Sequence, residues 1–66
     1  MIVFDRLWHL VKERDMSIYQ LREKCGLDNK TIQRLRANEN TETKTLDKIC
    51  NGLHCTLQDI MEHIPD

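Results

Sequence analysis

The sequence predicts an all-α fold, a compact five-helix bundle built around a central helix, glycine-containing turn and helix. Three observations carry that expectation. Apolar residues recur at spacings of three and four along most of the chain, the period of one helix face. Gly26, in "EKCGLDN", falls between two such stripes, where a left-handed break is least costly. A chain of 66 residues has material for one small core and therefore for one domain, residues 1–66.

Phe4, Leu7, Leu10 and Val11 form the first stripe, with Trp8 at its margin, so the first helix is expected over about residues 3–14. It ends near "ERDMS", where Asp15 and Ser17 compete for backbone groups. Ser17 is the expected N-cap of a short second helix that carries Ile18, Leu21 and Cys25 and stops at Gly26. Asp28 is expected to cap a third helix through the N–H groups two and three residues on, with Ile32 and Leu35 as its narrow inward stripe. The two helices of this central motif lie at about 17–25 and 28–37. "ANENTETKT" has no apolar residue beyond Ala37 and reads as a loop, ended where Thr41 or Thr43 caps a fourth helix. Leu46, Ile49, Cys50 and Leu53 make that helix's stripe. Thr56 is then expected to cap a fifth helix bearing Leu57, Ile60, Met61 and Ile64, before Pro65 forbids continuation.

Composition narrows the function classes. Hydrophobic residues at 39% and charged residues at 32% fit a folded globular chain rather than a disordered one. The opening "MIVFDRLWHL" has an acid at position 5 and no preceding basic segment, so neither a signal peptide nor a membrane span is expected and the cytoplasm is the expected location. Three cysteines, an odd number, argue for reduced thiols that act as small hydrophobes. In "CNGLHC", Cys50 and His54 stand four apart with Cys55 adjacent, a spacing that could place zinc ligands on one helix face. Against this, Cys50 falls in an apolar stripe, Cys55 takes an inward turn position, and no second paired motif exists, so core packing is expected and no metal site. One serine, two glycines and no gathered nucleophile, base or phosphate loop exclude a recognisable catalytic constellation. No enzyme, cofactor or small-molecule ligand is expected.

The outer face of the third helix has a different character. Asn29, Lys30, Gln33 and Arg34 follow one another there, with Thr31 and Arg36 beside them, and no acid occurs between Asp28 and Glu39. By type these are base readers: Arg donates twice to guanine, Asn or Gln pairs bidentately with adenine, and the Thr methyl suits thymine. Over residues 17–37, five cations stand against Glu23 and Asp28, a local charge of +3, which leaves −4 on the rest of a chain whose total is −1. Such polarity favours docking on a polyanion by one face. The plainer alternative is a solvated helix whose charges pair with local acids.

"MSIYQLREKCGLDNKTIQRLRANEN" together with "TLDKICNGLHCTLQDI" resembles the Cro/C1-type, or XRE-type, helix-turn-helix regulators of bacteria, phage and mobile elements. Leu21, Gly26, Leu27, Ile32 and Leu35 match the family's buried motif positions, and Leu46, Ile49, Leu53, Leu57 and Ile60 match its supporting helices. The resemblance implies a lambda-repressor-like fold and a sequence-specific transcriptional regulator of double-stranded DNA. Its base-reading positions fall on Asn29, Lys30, Gln33 and Arg34. Positions that approach the phosphate backbone fall on Ser17, Tyr19, Ala37, Thr41, Thr43 and Lys44, and Thr31 and Arg36, beside the reading face, are expected to contact the backbone as well. Three departures stand out: Ile18 replaces a frequent bracing Gln, Arg22 occupies a site that is usually small, and His54 stands where Gly is common. A single reading helix covers few base pairs, so a homodimer on paired half-sites is expected, with the apolar termini as candidate contact surface. RNA polymerase or another regulator is a further candidate partner. The alternative reading is a non-catalytic interaction module, an antitoxin-like or adaptor subunit on the same scaffold.

Overall fold

A computed structural model describes residues 1–66. In chain order the elements are β1 (Ile2–Val3), α1 (Asp5–Glu13), α2 (Ile18–Cys25), α3 (Asn29–Arg36), α4 (Thr43–Leu53), a single 3-10 turn at Leu57–Asp59, and β2 (Glu62–His63). The expectation of an all-α five-helix bundle is corrected in two respects: there are four helices, and the ends of the chain pair as a small antiparallel sheet, Ile2 opposite His63 and Val3 opposite Glu62. No helix is long and apolar enough to cross a membrane.

The four helices follow from the expected stripes. Phe4, Leu7 and Val11, Leu21 and Cys25, Ile32 and Leu35, and Ile49 and Leu53 all point into one core, which Ile60 completes from beyond the last helix. Leu10, Ile18, Leu46 and Cys50 pack half-buried around it. Every helix exits through a left-handed residue: Asp15 after α1, Gly26 after α2, Asn38 after α3 and His54 after α4, with φ between 53° and 65°. Asp, Asn and His tolerate that region better than most side chains, so only one of the four exits uses glycine. Asn38 does more than turn the chain, because its Oδ1 accepts the backbone N–H of Phe4 at 2.8 Å and so ties the start of α1 to the end of α3.

The expected fifth helix is displaced by contacts from elsewhere in the chain. Thr56 donates its N–H to the Asp59 carboxylate at 2.9 Å and its hydroxyl at 3.1 Å, which starts one tight turn. An α-helix would then need the carbonyl of Gln58 to accept the N–H of Glu62. Arg6 on α1 takes that carbonyl instead, at 2.9 Å, and pairs with the Glu62 carboxylate at 3.3 Å. Glu62 and His63 are thereby released to pair with the β-branched Ile2 and Val3, and reciprocal bonds between Met1 and Ile64 extend the ladder. Leu57 and Ile64, placed on a buried stripe by the sequence period, are 51% and 42% exposed. The same pairing delays α1 to Asp5. At the fourth helix the expected cap is also moved: Glu42 is the N-cap, without a side-chain hydrogen bond, and Thr43 is the first helical residue.

The tightest helix contact lies between α2 and α4. A Cβ placed on Gly52 would stand 2.5 Å from the carbonyl oxygen of Lys24, 2.7 Å from the Cys25 sulfur and 3.0 Å from the Cys25 Cα. Alanine in a helix is favoured over glycine by about 1 kcal/mol. Here the obstruction is mostly backbone, which cannot swing aside, and forced overpacking outweighs that preference. Gly52→Ala is expected to lower unfolding free energy by a net of about 2 kcal/mol, read as an earlier midpoint in a urea titration.

Candidate nucleic-acid interface

Both motif helices are begun by their own local sequence. Ser17 accepts the N–H of Gln20 at 3.1 Å, and the Gln20 side chain accepts the N–H of Ser17 at 2.8 Å, a reciprocal capping box that fixes the first turn of α2. After Gly26, the N–H of Leu27 returns to the carbonyl of Arg22 at 3.0 Å and closes the helix end. Asp28 then caps α3, its Oδ1 accepting the N–H of Thr31 at 2.8 Å. Hydrogen bonds from Thr31 hold the Asp28 carboxyl below its ordinary value of 3.8, with a smaller contribution from the Arg34 cation. Ile32 and Leu35 anchor α3 to the core.

On the opposite side of α3, Asn29, Lys30, Gln33 and Arg34 are all exposed, in the i, i+3 and i+4 relation that places them on one helix face. The four expected base readers are thus brought together. Neither of the chain's two ion pairs, Met1 with Asp66 and Arg6 with Glu62, involves Lys30 or Arg34.

The expected backbone set divides. Ser17 uses its oxygen as a cap acceptor but keeps its hydroxyl proton available to donate. Tyr19 is 63% exposed, with the Arg22 guanidinium 5.7 Å from its ring centre. Arg36 lies over the Trp8 ring at 5.2 Å, a cation–π contact that links the end of α3 to α1. Thr31 and Thr41 line a wholly polar depression beside Arg34, together with Asn40, Glu42 and Thr45. Thr43 and Lys44 line a different groove, one with an apolar wall of Leu46, Cys50, Cys55 and Leu57.

Two features lay outside the sequence reading. Thr45 joins the polar depression from the first turn of α4, and Glu42 brings a carboxylate to its rim. Arg22 donates from Nη1 to Oδ1 of Asn29, which couples α2 to the first residue of α3. The only signal for this coupling in the sequence is the presence of an arginine where the family tends to have a small residue.

The cysteines belong to the interior. Cys25 is buried and its thiol lies 3.9 Å from the Ile49 carbonyl, while Cys50 and Cys55 are half-buried. Burial pushes the Cys25 and Cys55 thiols upward, which favours the protonated, unreactive form. No group of three or more His, Cys, Asp or Glu side chains is arranged to hold a metal ion.

A short helix docked by two apolar residues, capped at its start and exposing four polar side chains beyond a second short helix, defines a helix-turn-helix domain. The chain belongs to the Cro/C1-type HTH DNA-binding domain family, whose profile matches residues 6–66. It is similar to the crystal structure of the transcriptional regulator VanUg, with a TM-score of 0.89 and 37% sequence identity over 98% of this chain and 87% of that one. No curated protein matches at a significant level. The resemblance seen in residues 16–40 and 45–60 is therefore borne out at the level of the family.

Because folding lowers the Asp28 pKa, the ionised cap stabilises α3 fully above the ordinary carboxylate value, and that stability is lost as pH falls through the lowered one. Asp59 shifts in the same direction through its bonds from Thr56. Asp28→Asn should therefore reduce, without abolishing, the loss of stability between about pH 5 and about pH 2, measured by denaturant titrations at stepped pH.

Proposed function

We propose that the chain is a sequence-specific transcriptional regulator that seats α3 in the major groove of double-stranded DNA and reads base edges with Asn29, Lys30, Gln33 and Arg34. The observation that carries this is the outer face of α3: four donor-rich side chains on one side, Ile32 and Leu35 locking the other side to the core. Ser17, Tyr19, Thr31 and Thr41 flank that face as phosphate contacts. Thr43 and Lys44 complete the set from the start of α4. Arg36 joins it by leaving Trp8 for a phosphate.

Eight helical residues span about 12 Å, the length of roughly three to four base pairs. A regulator needs a longer address, so two copies act on half-sites about 34–36 Å apart. The terminal sheet is the proposed meeting surface, since Met1, Ile2 and Ile64 are large apolar residues left exposed there. A second reading, an interaction module that binds a protein partner, is favoured by the groove whose apolar wall includes the exposed Leu57.

Selection from a randomised duplex library at moderate salt separates the two. The regulator reading expects a palindromic or repeated motif, and it expects Arg34→Ala to cost about 1–3 kcal/mol on that motif with relaxed choice at one base position. A folded protein that enriches nothing would favour the interaction module.

A further inference from the structure

Asn29 is the first residue of the reading helix, and it is not free. Arg22, half-buried on α2, reaches across the turn so that its Nη1 donates to Oδ1 of Asn29, while its guanidinium rests 5.7 Å from the centre of the Tyr19 ring. A guanidinium has five N–H donors and no acceptor, so only the oxygen of the Asn29 amide can face it. The chemistry of the pair therefore decides which way the amide points: the oxygen toward α2, the NH2 group away from it. An asparagine without such a neighbour reads adenine by accepting from N6 while donating to N7. Beside Arg22 that arrangement brings the adenine N6 donor up to a cation. Guanine presents two acceptors, O6 and N7, at the same edge. They meet the Asn29 NH2 and the positive field of Arg22 together.

We infer that Arg22 and Asn29 form a donor-only reading pair that selects guanine at the base position facing Asn29, where asparagine alone would select adenine. Arg22 is the specificity-determining residue of this pair, acting by orienting Asn29 and by excluding a base that offers a donor. The Tyr19 ring limits where the guanidinium can swing, which keeps the pair assembled before any base arrives. The inference rests on the proposal that α3 reads DNA.

Library selection with the unmodified chain, Asn29→Ala and Arg22→Met tests it. Methionine keeps an unbranched apolar stem at this half-buried position of α2 and removes every donor. Thermal melting of each variant by circular dichroism establishes that it is folded, and Tyr19→Phe, which preserves the ring, serves as a control. Asn29→Ala marks the base position involved by relaxing it. The unmodified chain should prefer guanine to adenine there by roughly tenfold, and Arg22→Met should reverse or erase that preference while every other position of the motif keeps its own. Adenine at the marked position with the unmodified chain overturns the inference and leaves the regulator reading standing. So does an unchanged guanine preference in a folded Arg22→Met variant. Should Arg22→Met fail to fold, Arg22→Gln, which can still donate to Asn29 but carries no charge, replaces it, and an undiminished exclusion of adenine by that variant overturns the role given to the cation. Enrichment of nothing by the unmodified chain overturns the regulator reading and the inference with it.

Discussion

The orientation of α3 depends on a glycine that lies on neither motif helix. Gly52 lets α4 come so close to the last turn of α2 that the Lys24 carbonyl and the Cys25 backbone occupy space a side chain would need. That contact fixes how the last turn of α2 lies against α4. The left-handed Gly26 then turns the chain, Asp28 caps the next helix, and Asn29 is delivered within reach of Arg22. A displacement at the α2–α4 crossing would propagate through this rigid turn to the polar face of α3, even though no atom of Gly52 belongs to that face. Close-packed interiors transmit such shifts because they have few voids in which to absorb them.

The distribution of cations refines the picture that charge counting suggests. Arg6 holds the turn after α4, and Arg14 donates to the Leu53 carbonyl at the α4 C-terminus, where a positive charge is favoured by the helix dipole. Arg36 stacks on Trp8, and Arg22 is committed to Asn29. On the outer face of α3, Lys30 and Arg34 are the exposed cations with no such engagement. Positive charge near α3 thus divides into side chains that shape the surface and side chains that can meet a ligand.

Much of the fold was legible because its decisive signals are short-range. Ser17, Gly26 and Asp28 act on backbone groups within a few residues, and the structure places each where propensity expects it. Ile32 and Leu35 announced the inward side of α3 by spacing alone, which left the outward side chains by subtraction. The fifth helix was misread because its fate lies with partners at the other end of the chain: Arg6 takes the Gln58 carbonyl, and Ile2–Val3 offer a strand to Glu62–His63. The helical spacing of Leu57, Ile60, Met61 and Ile64 was real, yet only Ile60 is fully buried. Couplings such as Arg22 with Asn29 and Arg36 with Trp8 were invisible for a related reason. They arise where elements cross in space, and no residue period encodes a crossing.

The contact between Arg36 and Trp8 has an optical consequence. Trp8 is the sole tryptophan of the chain, and its indole lies on α1 beneath a guanidinium anchored at the last turn of α3. Its emission therefore registers the position of that turn rather than an average over many fluorophores. Any event that draws Arg36 away uncovers the indole to water, while simple docking that leaves the arginine in place does not. The molecule carries an intrinsic dye where α1 meets the last turn of α3.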